Sequence, residues 1–129
     1  MPFDWLDFLT LAQELGARGD AASKRTAISR AYYFMFNLSY TRAVSNCGPK
    51  PPGVTTHAWC WDKSSNTPDP ACSALGTEGD RLKRVRTRAD YNNRDIVRLD
   101  EVWQRMLTDV QHFHANLSAL NAQFPSPSS

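Results

Sequence analysis

Apolar residues recur along the chain at helical spacing in four blocks, and nowhere is there a convincing strand pattern of alternating apolar and polar positions. In the first block Trp5, Phe8, Leu9, Ala12 and Leu15 share one face, opened by Pro2 and Asp4 and closed by Gly16 and Gly19. The pattern predicts a helix over residues 3–17. A second start at Asp20 leads into a segment with two stripes, Ile28, Ala31, Tyr32, Met35 and Leu38 on one and Tyr33, Phe36 and Tyr40 on the other. A helix apolar on two sides is buried on two sides, so it is either the central helix of a bundle or one whose second face meets another subunit.

Residues 46–70 turn to Pro, Gly, Ser, Thr and Asn, which breaks the periodicity and leaves room for only a short turn around residues 56–62. A connection of that length within a compact domain acts as a flap as readily as a spacer. The third helix is predicted over residues 71–90, with Leu75, Leu82, Val85 and Ala89 on one face and Gly76 and Gly79 weakening its first half. The fourth carries the clearest pattern: Ile96, Leu99, Trp103, Met106, Val110, Phe113, Leu117 and Leu120 form an uninterrupted seam in steps of three and four. The fold class that follows is all-α, an antiparallel up-and-down four-helix bundle with a long loop between helices 2 and 3. Residues 1–121 form one domain, and 122–129, ending in FPSPSS, form a disordered tail. Two stripes on helix 2 and a full seam on helix 4 are more apolar surface than one such monomer hides, which predicts a two-fold homodimer.

Composition narrows the class. A chain of 129 residues with 41% apolar content builds one core. No stretch reaches the roughly 20 apolar residues of a membrane span, and Asp4 and Asp7 stand where a signal peptide needs positive charge, so a cytoplasmic protein without membrane contact is expected. Cys47, Cys60 and Cys72 are an odd set better read as reduced thiols than as a disulfide framework. With His57 they invite a zinc reading, but only His57 and Cys60 have ligand spacing, so no metal and no other cofactor is expected.

Charge is unevenly placed. The whole chain carries +2, yet residues 81–98 hold seven basic side chains against Asp90 and Asp95, a local +5. Such a segment suits phosphate or an acidic partner, and equally a solvated helix face. At 100 degrees per residue, Arg81, Arg84 and Arg88 project away from Leu82, Val85 and Ala89, whereas Arg86 lies about 40 degrees from the apolar stripe. A guanidinium there needs an acceptor, and Asp90 one turn on is in range. Arg86 is then either a local brace with Asp90 or a phosphate ligand at the edge of a cleft.

Three segments in order, SRAYYFMFN at 29–37, THAWCW at 56–61 and LKRVRTRADYN at 82–92, resemble blocks of HEPN-superfamily domains. The resemblance spans residues 22–117. It implies a helical bundle that commonly dimerises, often beside a nucleotidyltransferase partner, and that cleaves or binds RNA in toxin-antitoxin and defence systems. In the ribonuclease members an Arg is followed within four to six residues by a His. Arg86 matches that arginine, but Thr87, Arg88, Ala89, Asp90 and Tyr91 follow it, and the next histidine is His112. Metal-independent cleavage needs a group that exchanges protons near neutral pH. Two substitutes are open: Arg105 with His112 on one helix face, or His57 delivered to Arg86 from the long loop. The candidate catalytic set is therefore Arg86, Tyr91 and His57, and the candidate RNA-binding set Arg81, Arg84, Arg86 and Arg88, with Tyr91 able to stack on a base. The other reading is a non-catalytic dimeric module that docks an acidic or nucleotidyltransferase-type protein.

Overall fold

The computed structural model describes residues 3–124, and these are all-helical, with no strand among them. Five helices follow one another: α1 (Leu6–Gly16), α2 (Ala21–Cys47), α3 (Thr56–Ser65), α4 (Pro70–Tyr91) and α5 (Leu99–Gln123). No helix among the described residues is long and apolar enough to cross a membrane.

Local chemistry sets the boundaries. Asp20 caps α2 by accepting from the Ser23 amide at 2.9 Å, and Asp69 caps α4 by accepting from the Cys72 amide at 3.0 Å, with Pro70 in the first turn. Gly48, at φ 81°, ends α2 in a backbone region that glycine enters at no steric cost. Arg25 fixes the turn after α4, its guanidinium donating to the Asn92 carbonyl at 2.6 Å and to the Arg94 carbonyl. α5 starts from Arg98 in the left-handed region without a side-chain cap, and Asp100 and Glu101 supply the negative charge its N-terminus favours.

The expected long loop is corrected: residues 46–70 contain α3, so α2 and α4 are joined by two short links around a helix. The segment was hidden because Trp59, Cys60 and Trp61 are buried as a contiguous run, without the three-and-four spacing that marks a long amphipathic helix. Residues 122 and 123, expected in the tail, are the last two of α5. Residues 125–129, the rest of that tail, lie outside the described residues.

α2 is the axis of the fold, packing against all four other helices. Its first stripe buries Ile28, Ala31, Tyr32 and Met35 completely. Its second stripe is covered by α3, with Tyr40 edge-on to Trp59 and Phe36 against Trp61. The apolar surface that argued for a second subunit is therefore largely hidden within one chain. The α5 seam is buried from Trp103 to Leu120, and Ile96 is buried from the turn before the helix. Gly16 of α1 lets the Trp103 ring approach to where a Cβ would stand 2.0 Å away.

Candidate functional site

α2, α3 and α4 meet around two adjacent tyrosines, and Arg86 enters this junction from the C-terminal part of α4. Its guanidinium carbon lies 5.4 Å from the ring centroids of both Tyr32 and Tyr33. Nη1 donates to Asp90 Oδ2 at 3.2 Å, and Ser29 Oγ donates to the same oxygen at 3.2 Å. Arg86 is only 8% exposed, and its buried Nε has no partner among the described residues. The side chain thus combines a paired edge, two aromatic faces and one orphaned donor. A buried cation contacting aromatic rings is stabilised by their quadrupoles, while an unmet donor in the same place costs about 1–3 kcal/mol.

His57 reaches the same pair of rings from the first turn of α3. It stacks on Phe36 at 4.1 Å between centroids, with Tyr32 and Tyr33 at 5.6 and 5.9 Å. Its Nδ1 lies 2.7 Å from the Tyr32 hydroxyl, which also accepts from Trp61 Nε1 at 3.1 Å. With the hydroxyl donating to Nδ1, neutral His57 carries its own proton on Nε2. Burial keeps the Tyr32 hydroxyl protonated by raising its pKa. Burial also holds the imidazole pKa below its usual 6.5, and the charges of Arg86 and then Lys83 lower it further.

The stability consequence has a definite sign. The unfolded chain protonates His57 near 6.5 and the folded chain only at lower pH, so between the two the unfolded state binds more protons. The stabilising contribution is full above 6.5 and declines as pH falls toward the depressed value. Urea unfolding at about pH 7.5 and about pH 5.5 should show this loss, and His57→Gln should reduce it; equal pH dependence in both proteins contradicts the assignment.

The remaining basic residues face elsewhere. Arg81 binds Glu78 and, at 2.6 Å, Asp109; Arg84 binds Asp80 at 2.7 Å. Arg88 is exposed, and its side chain has no ion pair or hydrogen bond among the described residues. These three line a groove between α4 and α5 that does not include Arg86; Leu82, Val85 and Ala89 line it too, so the basic residues border the apolar stripe instead of projecting away from it. Tyr91 ends α4, is 71% exposed and takes no part in the contacts around Arg86. Five residues turn a helix by about 500 degrees, which puts position 91 on a different side from position 86. The alternative pair does not converge on the centre: Arg105 turns to Asp109 at 3.3 Å, and His112 is exposed. Cys47 is exposed, while Cys60 and Cys72 are buried, and burial pushes the Cys60 thiol up to about 12. Among the described residues no group of three or more His, Cys, Asp or Glu side chains is placed to hold a metal ion.

Comparison with family models, curated proteins and solved structures finds no match for this chain.

The structure therefore brings Arg86 and His57 together and leaves Arg81, Arg84, Arg88 and Tyr91 outside. Tyr32, Tyr33 and Ser29 belong to the centre, and the charge of Lys83 is felt there by His57, although no spacing rule links any of them to Arg86. The signal available was the pair of adjacent tyrosines in a doubly apolar helix, since only one of two neighbours can point fully into a core. Chemically, the centre is better suited to donate than to accept. Cleaving RNA through its own 2′-hydroxyl requires a base to remove that proton. In the tautomer in which Tyr32 donates to Nδ1, the basic nitrogen of His57 is occupied and Nε2 bears the proton. What remains is an Nε2–H donor at a helix N-terminus, with Lys83 and Arg86 adding positive charge, which is an arrangement for an anion.

Proposed function

We propose that this chain is an RNA-directed protein of HEPN type that binds RNA rather than cutting it. In this reading a backbone phosphate is held at the start of α3 by His57 Nε2–H and Lys83, with Arg86 behind them as the fixed charge. The observation that carries the reading is the junction itself: a neutral-held imidazole beside a buried guanidinium whose Nε lacks a partner. That Nε is shut off from solvent, so Arg86 acts through its charge, and the incoming phosphate is met by His57 Nε2–H and Lys83. The basic segment of α4 adds non-specific attraction.

The test is a titration of single-stranded RNA at several salt concentrations. Affinity should fall steeply with salt, and Lys83→Gln should lower the logarithmic slope by about 0.7, the value of one phosphate contact on a single strand. The same RNA should remain intact over hours. Salt-independent binding, or no binding, defeats the proposal.

A second reading, a module docking an acidic protein, is favoured by the groove between α4 and α5. There Arg84, Arg88 and Arg105 border an apolar floor that includes Leu82, Val85 and Met106. It becomes the preferred reading when RNA binding is absent and Arg88→Glu abolishes partner capture.

A further inference from the structure

A separate cavity lies at the other end of α3 from His57. Its volume is about 190 Å³, and it opens between the last turns of α2, the start of α4 and the C-terminal half of α5. Leu75, Phe113, Leu117 and Leu120 give it an apolar floor, while Arg42 and Lys63 stand on its wall. The charge there is not neutralised. Arg42 Nε donates to the neutral amide oxygen of Asn121 at 2.7 Å, and Nη1 lies 3.8 Å from the Cys72 thiol. Among the described residues neither Arg42 nor Lys63 has a carboxylate within ion-pair distance. Asp69, the one carboxylate lining the cavity, is committed to the Cys72 amide at 3.0 Å.

Most other arginines of the fold that approach a neighbour find a carboxylate or a run of carbonyls. Arg42 is half-buried and has only an amide and a thiol. A partly desolvated guanidinium of that kind favours an anion, and the floor beneath it favours hydrocarbon. We infer that the cavity binds an amphipathic carboxylate, with its head between Arg42 and Lys63 and a short aliphatic tail over Phe113 and Leu117. A cavity of about 190 Å³ suits a short aliphatic tail. The site shares no residue with the His57 and Arg86 centre and does not depend on the RNA reading.

Octanoate is the probe, titrated calorimetrically into the full chain. One saturable site per chain is expected, with octanol, which keeps the tail and loses the charge, binding about tenfold more weakly or worse. Arg42→Gln should weaken octanoate by about tenfold while still offering Asn121 a hydrogen bond. If that variant does not fold, exposed Lys63→Gln replaces it and should weaken binding severalfold. Ala43→Leu, which adds a side chain at the cavity wall, should block the site. The inference is overturned by the absence of saturable binding, by octanol binding as tightly as octanoate, by undiminished binding in the charge variant that folds, or by a signal that folded Ala43→Leu leaves intact.

Discussion

Gly76→Ala and Gly79→Ala should each destabilise the protein strongly, reversing the usual effect of replacing a helical glycine. In an open helix that change gains about 1 kcal/mol. At position 79 the new Cβ would stand 2.4 Å from two ring atoms of Trp61, and at position 76 it would stand 2.3 Å from the Ser65 backbone nitrogen. A ring buried among Tyr32, Phe36 and Phe113 has little freedom to move, and a backbone atom has none unless α3 moves with it. Overpacking of this kind costs about 1–3 kcal/mol and occasionally more, and Gly76→Ala should sit at the upper end. A loss of about 3 kcal/mol lowers Tm by about 12 °C in a chain of this size. Because α3 carries His57, the same variant should disturb the His57 to Tyr32 hydrogen bond and weaken RNA binding. Gly19→Ala meets nothing within 4 Å and should change stability by less than about 0.5 kcal/mol. Thermal melts that rank Gly76→Ala with Gly19→Ala would mean that α3 does not dock on α4 at these two points.

Those glycines show why part of the fold was legible and part was not. α1, α2, α4 and α5 follow from three-and-four spacing with Asp, Pro and Gly punctuation, and their ends fall within a few residues of the pattern. α3 has no such spacing. Its ten residues bury Trp59, Cys60 and Trp61 side by side, because a short helix laid across a groove is gripped on much of its circumference. Gly76 and Gly79 in the sequence look like weakness in α4, whereas their function is to admit the α3 backbone and the Trp61 ring. A glycine pair three apart on an otherwise good helix was thus the available trace of the missing element. The site divides in the same way. Helical geometry separates Arg86 from Arg81, Arg84 and Arg88 and offers it Asp90, because those relations are local. Tyr32, Tyr33 and His57 come from other helices, and no spacing rule connects them to Arg86. His57 was a candidate from a loop, and the loop proves to be a helix whose first turn aims the ring.

Removing Arg86 should lower stability and shift His57 at the same time, and the second effect distinguishes the arrangement from an ordinary brace. Arg86→Ala leaves Asp90 with Ser29 as its remaining side-chain partner and empties the space beside Tyr32 and Tyr33. Breaking a fully buried pair costs about 3–5 kcal/mol, and since the Asp90 side chain is 26% exposed, about 2–3 kcal/mol is expected. Arg86→Met keeps the stem and removes the charge; combined with Asp90→Leu it should cost less than Arg86→Met alone, because no carboxylate is then left unpaired. The histidine responds independently of stability. Burial is the largest cause of its lowered pKa and remains in the variants, while the Arg86 contribution disappears. His57 should therefore titrate higher in Arg86→Met than in the parent, moving toward 6.5 without reaching it, as followed by NMR of the imidazole protons. Arg86→Lys restores a positive charge and should return the His57 titration toward the parent, yet a lysine lacks the planar fork that contacts Asp90 and both tyrosines together, so stability and RNA affinity should recover only in part. An unchanged His57 titration in Arg86→Met would show that the two groups are not electrically coupled, and full RNA affinity in that variant would remove Arg86 from the binding centre.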